Sequence, residues 1–311
     1  MDPTDPTDPT DPTDLRAEIR QYLSSRRARL TPEQAGLPAF GGNRRVKGLR
    51  REEVAMLAGV SVDYYVRLER GSLAGASEGV LDALATALQL DDAERDHLYA
   101  LARGSASAGR ARRRRTPAHT VRPQVQQVLD AVTGAPAWVR NGRHDILATN
   151  PLARALYSPV LDSPVTADPR RPANTARFVY LDPDAARAFF VDYDQVARDA
   201  AAILHLEAGR APHDKALVEL VGELSTRSPT FRRHWASHDV RHHRSGRKRL
   251  RHPVVGLLDL DFEAMSLAAE PGLQLNVYTA AAGTPTADGL TLLAAWDATR
   301  PATRAERSDA G

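Results

Sequence analysis

The sequence of 311 residues predicts two folded parts, an all-helical domain followed by an α+β domain. Between residues 15 and 101, apolar residues recur at the three- and four-residue spacing of amphipathic helices. After residue 121, short apolar runs bounded by turn signals alternate with further helical stretches, a pattern typical of a sheet covered by helices. A chain of this length is enough for about two domains, each with its own core.

The two ends and the junction between the domains lack the pattern of folded elements. Residues 1–14 repeat Asp-Pro-Thr, in which proline blocks helix and sheet and nothing apolar can be buried, so we expect a disordered acidic tail. Residues 104–120 are rich in Gly, Ser, Ala and Arg, which indicates a basic linker. The domains therefore span 15–103 and 121–298, and a second disordered tail is expected at 299–311.

Two short helices around a glycine turn are indicated by the stretch GLRREEVAMLAGVSVDYYVRLERG. Val54, Leu57 and Ala58 lie at i, i+3 and i+4 and so share one face of a helix. Gly59 follows at once, where a tight turn can take a positive φ, and Ser61 is a good N-cap for the next helix. Together these signals predict a helix-turn-helix.

The second helix of this motif is expected to enter the major groove of DNA with its outward, N-terminal positions. The charge agrees with a polyanionic partner, because residues 15–115 hold 19 Lys/Arg against 12 Asp/Glu while the whole chain has a net charge of only +3. The positions assigned to double-stranded DNA are this outward face and the basic cluster before the motif, namely Arg44, Arg45, Lys47, Arg50, Arg51, Ser61, Val62, Asp63, Tyr64 and Arg67.

In the second domain the pair Asn-Gly at 141–142 lies between two short apolar runs, which is a strong β-hairpin signal. Further strands are expected at 254–260, 265–269 and 273–279. Helices are expected at 121–132, 151–157, 183–190, 195–207, 215–227 and 287–298.

The helix-turn-helix stretch resembles the XRE family of repressors. This resemblance implies that Val62, Asp63 and Arg67 take base-reading positions and that Arg51 touches the DNA backbone. Because Val62 is apolar, contact with a thymine methyl group is more plausible there than a hydrogen bond. The resemblance also implies that the acidic residue near the end of the motif, Glu69, pairs with an arginine of the first helix, either Arg26 or Arg27.

The second domain resembles, over residues 122–298, the MmyB-like ligand-binding domain that follows such motifs in many actinobacterial regulators. The residues that carry this resemblance include ILATNPLARALY, NTARFVYLDPDA, HDVRHHRSGRKRLRHPVVG and LNVYTAAAGTPTADGLTLLAAW. It implies a PAS-like fold that holds a small apolar ligand, with a fatty acid as the best-supported type.

A pocket for such a ligand would lie between the sheet and the helices that cover it. The alternative is that the same side chains fill a dry core. The carboxylate of an acyl chain would need a cation, and the basic segment before residue 254 offers Arg249 and Arg251. The residues expected to line the pocket are Trp138, Ile146, Ala148, Leu156, Phe189, Arg249, Arg251, Val255, Leu257, Leu275, Val277 and Tyr278.

The sequence shows no strong motif for catalysis, a metal or a cofactor. His234, His238 and His242 are spaced to share a helical face, but the glutamate of HExxH is missing and the surrounding Lys and Arg would repel a dication. The chain has no cysteine, no P-loop, no GxSxG and no GxGxxG after a strand. We therefore expect neither an enzyme nor a metal or cofactor site.

The expected function is sequence-specific regulation of transcription, with repression favoured because a protein on its operator can occlude polymerase. One recognition helix covers few base pairs, so we expect a homodimer on a pseudo-palindromic operator, with dimerisation assigned to residues 121–298. No apolar run approaches a membrane span, which favours a cytoplasmic, nucleoid-associated protein. Two alternatives stay open: an enzyme acting on a bound lipid with an appended DNA-binding module, and a DNA-binding protein whose second domain only dimerises.

Overall fold

The computed structural model describes residues 12–37, 46–107, 121–211, 214–237, 239 and 245–299. The chain divides into two compact units, one formed by Met1–Arg114 with Ala201–His242 and the other by Arg115–Ala200 with His243–Gly311. Arg44, Arg45, His238 and His242 lie outside the described residues, as do most of the predicted acidic tail, the linker beyond residue 107 and the predicted C-terminal tail beyond residue 299.

The first unit contains the predicted all-helical domain. Its helices are α1 (Pro12–Arg29), α2 (Arg51–Leu57), α3 (Val62–Glu69), α4 (Glu78–Ala87) and α5 (Asp92–Ser107). They enclose one apolar core whose fully buried members include Ile19, Leu23, Tyr65, Leu84 and Leu98.

Two helix ends in this unit differ from the predicted bounds. Helix α1 begins at Pro12 rather than at Leu15, and proline suits the first turn of a helix because its missing N–H needs no partner there. Helix α5 continues through residues 104–107, which were assigned to the linker. Gly104 is compatible with this extension because it packs towards the side chain of Leu15 on α1.

Helices from the second half of the chain also belong to the first unit. They are the C-terminal part of α11 (Tyr193–Arg210), α12 (Lys215–Arg227) and α13 (Pro229–Trp235). Leu206 joins the helical core, and Gly209 lies so close to the ring of His97 that a Cβ there would be 2.6 Å from it. Chain order had assigned residues 201–242 to the second domain, whereas these contacts join them to the N-terminal helices.

The second unit is the predicted α+β domain. Its strands, β1 (Ala137–Asn141), β2 (Ile146–Thr149), β3 (Ser245–His252), β4 (Gly256–Ser266) and β5 (Leu273–Thr279), form one antiparallel sheet in the order β2-β1-β5-β4-β3. Its helices are α6 (Pro123–Ala131), α7 (Pro151–Leu156), α8 (Ser158–Leu161), α9 (Thr175–Leu181), α10 (Pro183–Phe189), the N-terminal part of α11, and α14 (Pro285–Thr299).

The predicted hairpin is confirmed, but its turn is built by a side chain rather than by the Asn-Gly pair alone. The Asn141 amide oxygen accepts hydrogen bonds from the backbone N–H groups of Arg143 and Asp145, at 3.0 and 3.1 Å. The left-handed residue is His144, with a φ of 67°. Asn141 therefore fixes the longer connection that follows β1.

The other strand predictions need a correction. The predicted strands at 254–260 and 265–269 are one long strand, β4, and the segment treated as a solvated basic stretch forms β3. Strand β3 ends at His252 and β4 begins at Gly256, which has a φ of 77°, so the turn between them takes residues 253–255 and includes the start of the first predicted strand. Strand β3 was not predicted because its inward-facing residues, Lys248, Leu250 and His252, alternate with arginines and include only one apolar side chain.

Candidate DNA-binding face and ligand-binding core

The turn between α2 and α3 has the local geometry that its sequence predicts. Gly59 takes a φ of 64°, and the Ser61 hydroxyl accepts a hydrogen bond from the backbone N–H of Tyr64 at 3.2 Å. Tyr65 and Leu68 turn one face of α3 into the core, where both are buried. The opposite face of α3 is thereby presented to solvent.

That solvent-facing side carries the residues assigned to base reading. Val62, Asp63 and Arg67 are exposed, and Tyr64 is half-buried beside them. The Arg67 guanidinium lies 4.8 Å from the centre of the Tyr64 ring, a cation–π distance that restricts the arginine. An exposed guanidinium held against an aromatic ring suits bidentate hydrogen bonding to a base edge.

A buried carboxylate fixes α3 relative to the two helices before it. Glu69 is 1% exposed; one of its oxygens accepts from Arg27 Nε and Nη2 at 3.0 and 2.9 Å, and the other accepts from Arg51 Nε. The pairing of Glu69 with Arg27 is one of the two expected. Arg26, the other option, instead pairs with Glu94 at 3.0 Å.

Arg51 is held by this carboxylate and still reaches solvent. Its side chain is 53% exposed, and its hydrogen bond to Glu69 raises the pKa of its guanidinium above the ordinary value. Lys47 and Arg50 are exposed nearby, and Arg50 also contacts Glu52 at 3.3 Å. These cations lie around the start of α2, where the sequence places phosphate contacts.

The sheet of the second unit has two faces with different environments, which the strand register defines. Trp138 pairs with Asn276, and Phe262 with Tyr278, so these four side chains share what we call the inner face. Val139 pairs with Leu275 on the opposite, outer face. The outer face is covered at β1 and β5 by α6, and at β3 and β4 it is largely exposed.

The residues predicted to line one pocket are divided between these faces, so that prediction is wrong as a single set. Trp138, Ile146, Leu156, Phe189 and Tyr278 are buried in the core of the unit, apart from the α6 cluster. The other apolar members do not join them: Ala148, Leu275 and Val277 pack in the α6 cluster, Leu257 is exposed on the outer face, and Val255 lies in the turn before β4.

Arg249 and Arg251 also lie on the outer face, because they pair across to Asp259 and Leu257. Both are exposed, and Arg249 Nε donates to the Asp192 carboxylate at 3.0 Å. The inward positions of β3 are instead Lys248, Leu250 and His252, which alternate with these arginines along the strand. Neither arginine therefore faces the inner core.

Aromatic side chains dominate the inner face. The Trp138 ring lies 4.7 Å from that of Tyr157 and 4.6 Å from that of Tyr278, measured between ring centres. The two tyrosine hydroxyls share a hydrogen bond of 2.8 Å, and Phe189 contacts Tyr157 edge-on. An apolar body could pack here against rings while a polar group reached the hydroxyl pair.

Arg140 is the cation that the sequence analysis missed. It is 6% exposed on the inner face, where Nη1 lies 3.1 Å from His144 Nδ1 and Nη2 donates to Gln274 Oε1 at 3.1 Å. Its Nε has no hydrogen-bond acceptor among the described residues. Strand parity carried a signal, because Arg140 is two residues after Trp138 and therefore shares its face.

Burial away from water shifts the pKa values of Arg140 and of the side chains around it. Burial lowers the pKa of the Arg140 guanidinium, and burial together with the Arg140 charge lowers the pKa of His144 well below its usual range. His144 is therefore neutral at pH 7 and accepts from the arginine. Burial raises the pKa of Tyr157 to about 12 and that of Tyr278 well above its ordinary value, so both hydroxyls keep their protons.

No group of three or more potential metal ligands occurs among His, Asp and Glu in the described part of the chain. Helix α13 ends at Trp235, one residue after His234. Among the helices that the structure describes, none combines the length and apolar character needed to cross a membrane.

A helix-turn-helix whose second helix exposes one face and whose first helix begins among exposed cations, followed by an α+β domain with a buried cation among aromatic rings, defines a class of DNA-binding regulators with a ligand-binding domain. Comparison with protein families agrees: residues 15–98 match a helix-turn-helix domain, and residues 121–293 match the MmyB-like transcription regulator ligand binding domain. The chain therefore belongs to the MmyB-like family of transcription regulators. Comparison with curated proteins gives no match.

Proposed function

We propose that this protein is a repressor that binds a pseudo-palindromic operator as a homodimer. We further propose that its affinity for the operator changes when an amphipathic molecule such as a fatty acid occupies the second domain. The observation that carries the proposal is the exposed N-terminal face of α3, held in place by the buried Glu69. It would act on chromosomal DNA in the cytoplasm.

Arg67 is proposed to read a base edge, and Val62 to contact a thymine methyl group. Support comes from the exposure of both side chains at the start and middle of α3 and from the ring contact that restricts Arg67. Lys47, Arg50 and Arg51 are proposed to contact phosphates, because they are exposed cations at and just before the start of α2. Phosphate contacts position a protein without reading its sequence.

The homodimer is proposed because one α3 helix reads too few base pairs for a specific operator, and a twofold pair would read two half-sites about one helical turn apart. The outer face of β3 and β4 supports a role for the second domain, since Leu257 and Met265 are exposed there. Sedimentation of the full-length chain tests this: a dimer at micromolar concentration is expected, and a monomer that also binds its operator singly would contradict it.

Repression and its control by a ligand require that the ligand bind the DNA-competent and DNA-incompetent states with different strength. The apolar inner face and the match to a ligand-binding domain support a small molecule in that role. Such a coupling also predicts that operator DNA changes the affinity for the ligand by the same factor.

The experiment that tests DNA reading starts with genome-wide capture of bound DNA to identify the operator. Arg67→Ala should then weaken operator binding by about 1–3 kcal/mol and relax discrimination at one base position. Lys47→Ala is the matched control, because it removes an exposed cation outside α3 and should weaken operator and random DNA alike. Equal losses on both DNAs for Arg67→Ala would remove the base-reading role.

A further inference from the structure

We infer that Arg140 is the anchor for the acidic head group of the ligand, so that the second domain selects molecules with an apolar body and a single carboxylate. This inference rests on the proposed ligand-dependent function and names the chemical class of the ligand. Three observations lead to it: a buried charge without a counter-ion, neutral neighbours with spare donors, and an apolar surface next to them.

The first observation is the missing counter-ion. Three arginines are buried in the described part of the chain, and two of them pair with carboxylates: Arg26 with Glu94 at 3.0 Å, and Arg143 with Asp145 at 3.1 Å. Among the residues that the structure describes, the hydrogen-bond partners of the Arg140 guanidinium are the uncharged side chains of His144 and Gln274. Burying an unpaired charge is costly, and a neutral side chain of similar size could make the same two contacts at less cost.

The second observation concerns the groups around that charge. Arg140 Nε has no acceptor among the described residues, so the Nε–H group is available for an incoming oxygen. In the Tyr157–Tyr278 pair one hydroxyl donates to the other, which leaves the second hydroxyl proton for another acceptor. Arg140 lies two residues from Trp138 on the same face of β1, and the Trp138 ring contacts the rings of both tyrosines. A carboxylate is the group that would accept from the guanidinium and a hydroxyl together.

The third observation is the apolar surface that continues from this polar spot. Tyr278 packs between the rings of Trp138 and Phe262, at 4.6 and 5.8 Å between ring centres. Further along the inner face, β4 supplies the buried Leu260 and Leu258. The sheet therefore places the buried Arg140 at one end of a largely apolar track, while the half-buried Lys248 lies at the β3 edge beside Phe262. This arrangement suits an aliphatic or aromatic acid.

The outer arginines cannot replace Arg140 in this role. Arg249 is exposed and already paired with Asp192, and Arg251 is exposed on the same outer face. Arg249 therefore offers a matched control: the same substitution removes the same charge from the same sheet, but from the side that faces solvent.

The test uses the full-length protein and calorimetric titration with two probes of equal chain length, decanoic acid and 1-decanol. The unmodified protein should bind the acid about 10- to 100-fold more tightly than the alcohol, the range expected for a buried charge-assisted hydrogen-bonded pair. Arg140→Gln should reduce this ratio to about one, whereas Arg249→Gln should keep it. Circular dichroism checks that each variant is folded.

The other outcomes distinguish a wrong anchor residue from a wrong class of ligand. Equal binding of acid and alcohol by the unmodified protein, or an unchanged ratio in Arg140→Gln, would overturn the anchor while leaving an apolar ligand in place. Binding of neither probe would overturn both the anchor and the proposed fatty-acid ligand. If Arg140→Gln does not fold, Arg140→Met takes its place, because it keeps most of the side-chain length and leaves no buried charge, and the same two results decide.

Discussion

Replacing Glu69 by glutamine should destabilise the helix-turn-helix more than any exposed charge change in the same region. The substitution keeps the shape of the side chain and removes the negative charge on which Arg27 and Arg51 converge. Arg27 also donates to the carbonyl of Leu49 at 2.9 Å, so the same cation ties α1 to the segment before α2. Loss of the carboxylate therefore loosens three helices together.

The size of the effect follows from the burial of the two ion pairs. Breaking a buried pair by removing one charge costs about 3–5 kcal/mol, and a surface pair contributes about 0–1 kcal/mol. Glu69 is almost fully buried and Arg27 is mostly buried, whereas Arg51 is half exposed. Because glutamine keeps one oxygen acceptor, we expect a loss of about 3 kcal/mol, at the lower end of the buried range.

Hydrogen exchange followed by mass spectrometry measures this locally. A loss of about 3 kcal/mol should speed exchange of the protected α3 amides by about 150-fold, since 1.4 kcal/mol is a factor of ten. Glu52→Gln is the control, because Glu52 pairs with Arg50 at the surface and should change exchange by less than about fivefold. If the two variants exchange alike, the buried carboxylate does not hold the motif together.

Two further predictions concern packing and pH. Gly209→Ala should destabilise the protein by about 1–3 kcal/mol, because the alanine Cβ would lie 2.6 Å from the His97 ring. Gly222→Ala has open space around the new Cβ and should stabilise the protein by about 0.5–1 kcal/mol. The two variants should therefore shift the melting temperature in opposite directions, and shifts of the same sign would contradict the packing. The pKa of His144 is lower in the folded protein than in the unfolded chain. Below about pH 6.5 this histidine is therefore protonated in the unfolded chain but still neutral in the folded protein, so stability should fall as the pH drops. In urea titrations at pH 7.5 and 5, His144→Gln should show a smaller acid-induced loss than the unmodified protein; an equal loss would exclude His144 as a source.

The helix-turn-helix was predictable because its signals are local. Ser61 caps the helix that starts at the next residue, and Gly59 takes the positive φ that the turn after α2 requires. The ion pair of Glu69 was predicted only as a choice between Arg26 and Arg27, because sequence spacing does not decide which of two adjacent helical residues faces a third helix.

The candidate ligand site was harder to predict, since it depends on strand parity and long-range packing. Successive side chains of a strand point to opposite faces, and because β3 was not predicted, Arg249 and Arg251 were assigned to the ligand although they lie on the outer face. Arg140 was missed because a charge next to a turn is usually solvated. Periodicity also showed that residues 215–227 form an amphipathic helix, but not that this helix belongs with the N-terminal unit.

Control of DNA binding by occupancy of the second domain can be measured by titrating labelled operator with the full-length protein in the presence and absence of saturating decanoic acid. We expect the ligand to change operator affinity by about 5- to 150-fold, the usual size of an allosteric coupling, and to affect binding to random DNA less. An unchanged operator affinity, with binding of the acid confirmed by calorimetry, would contradict this expectation and leave the second domain as a dimerisation module.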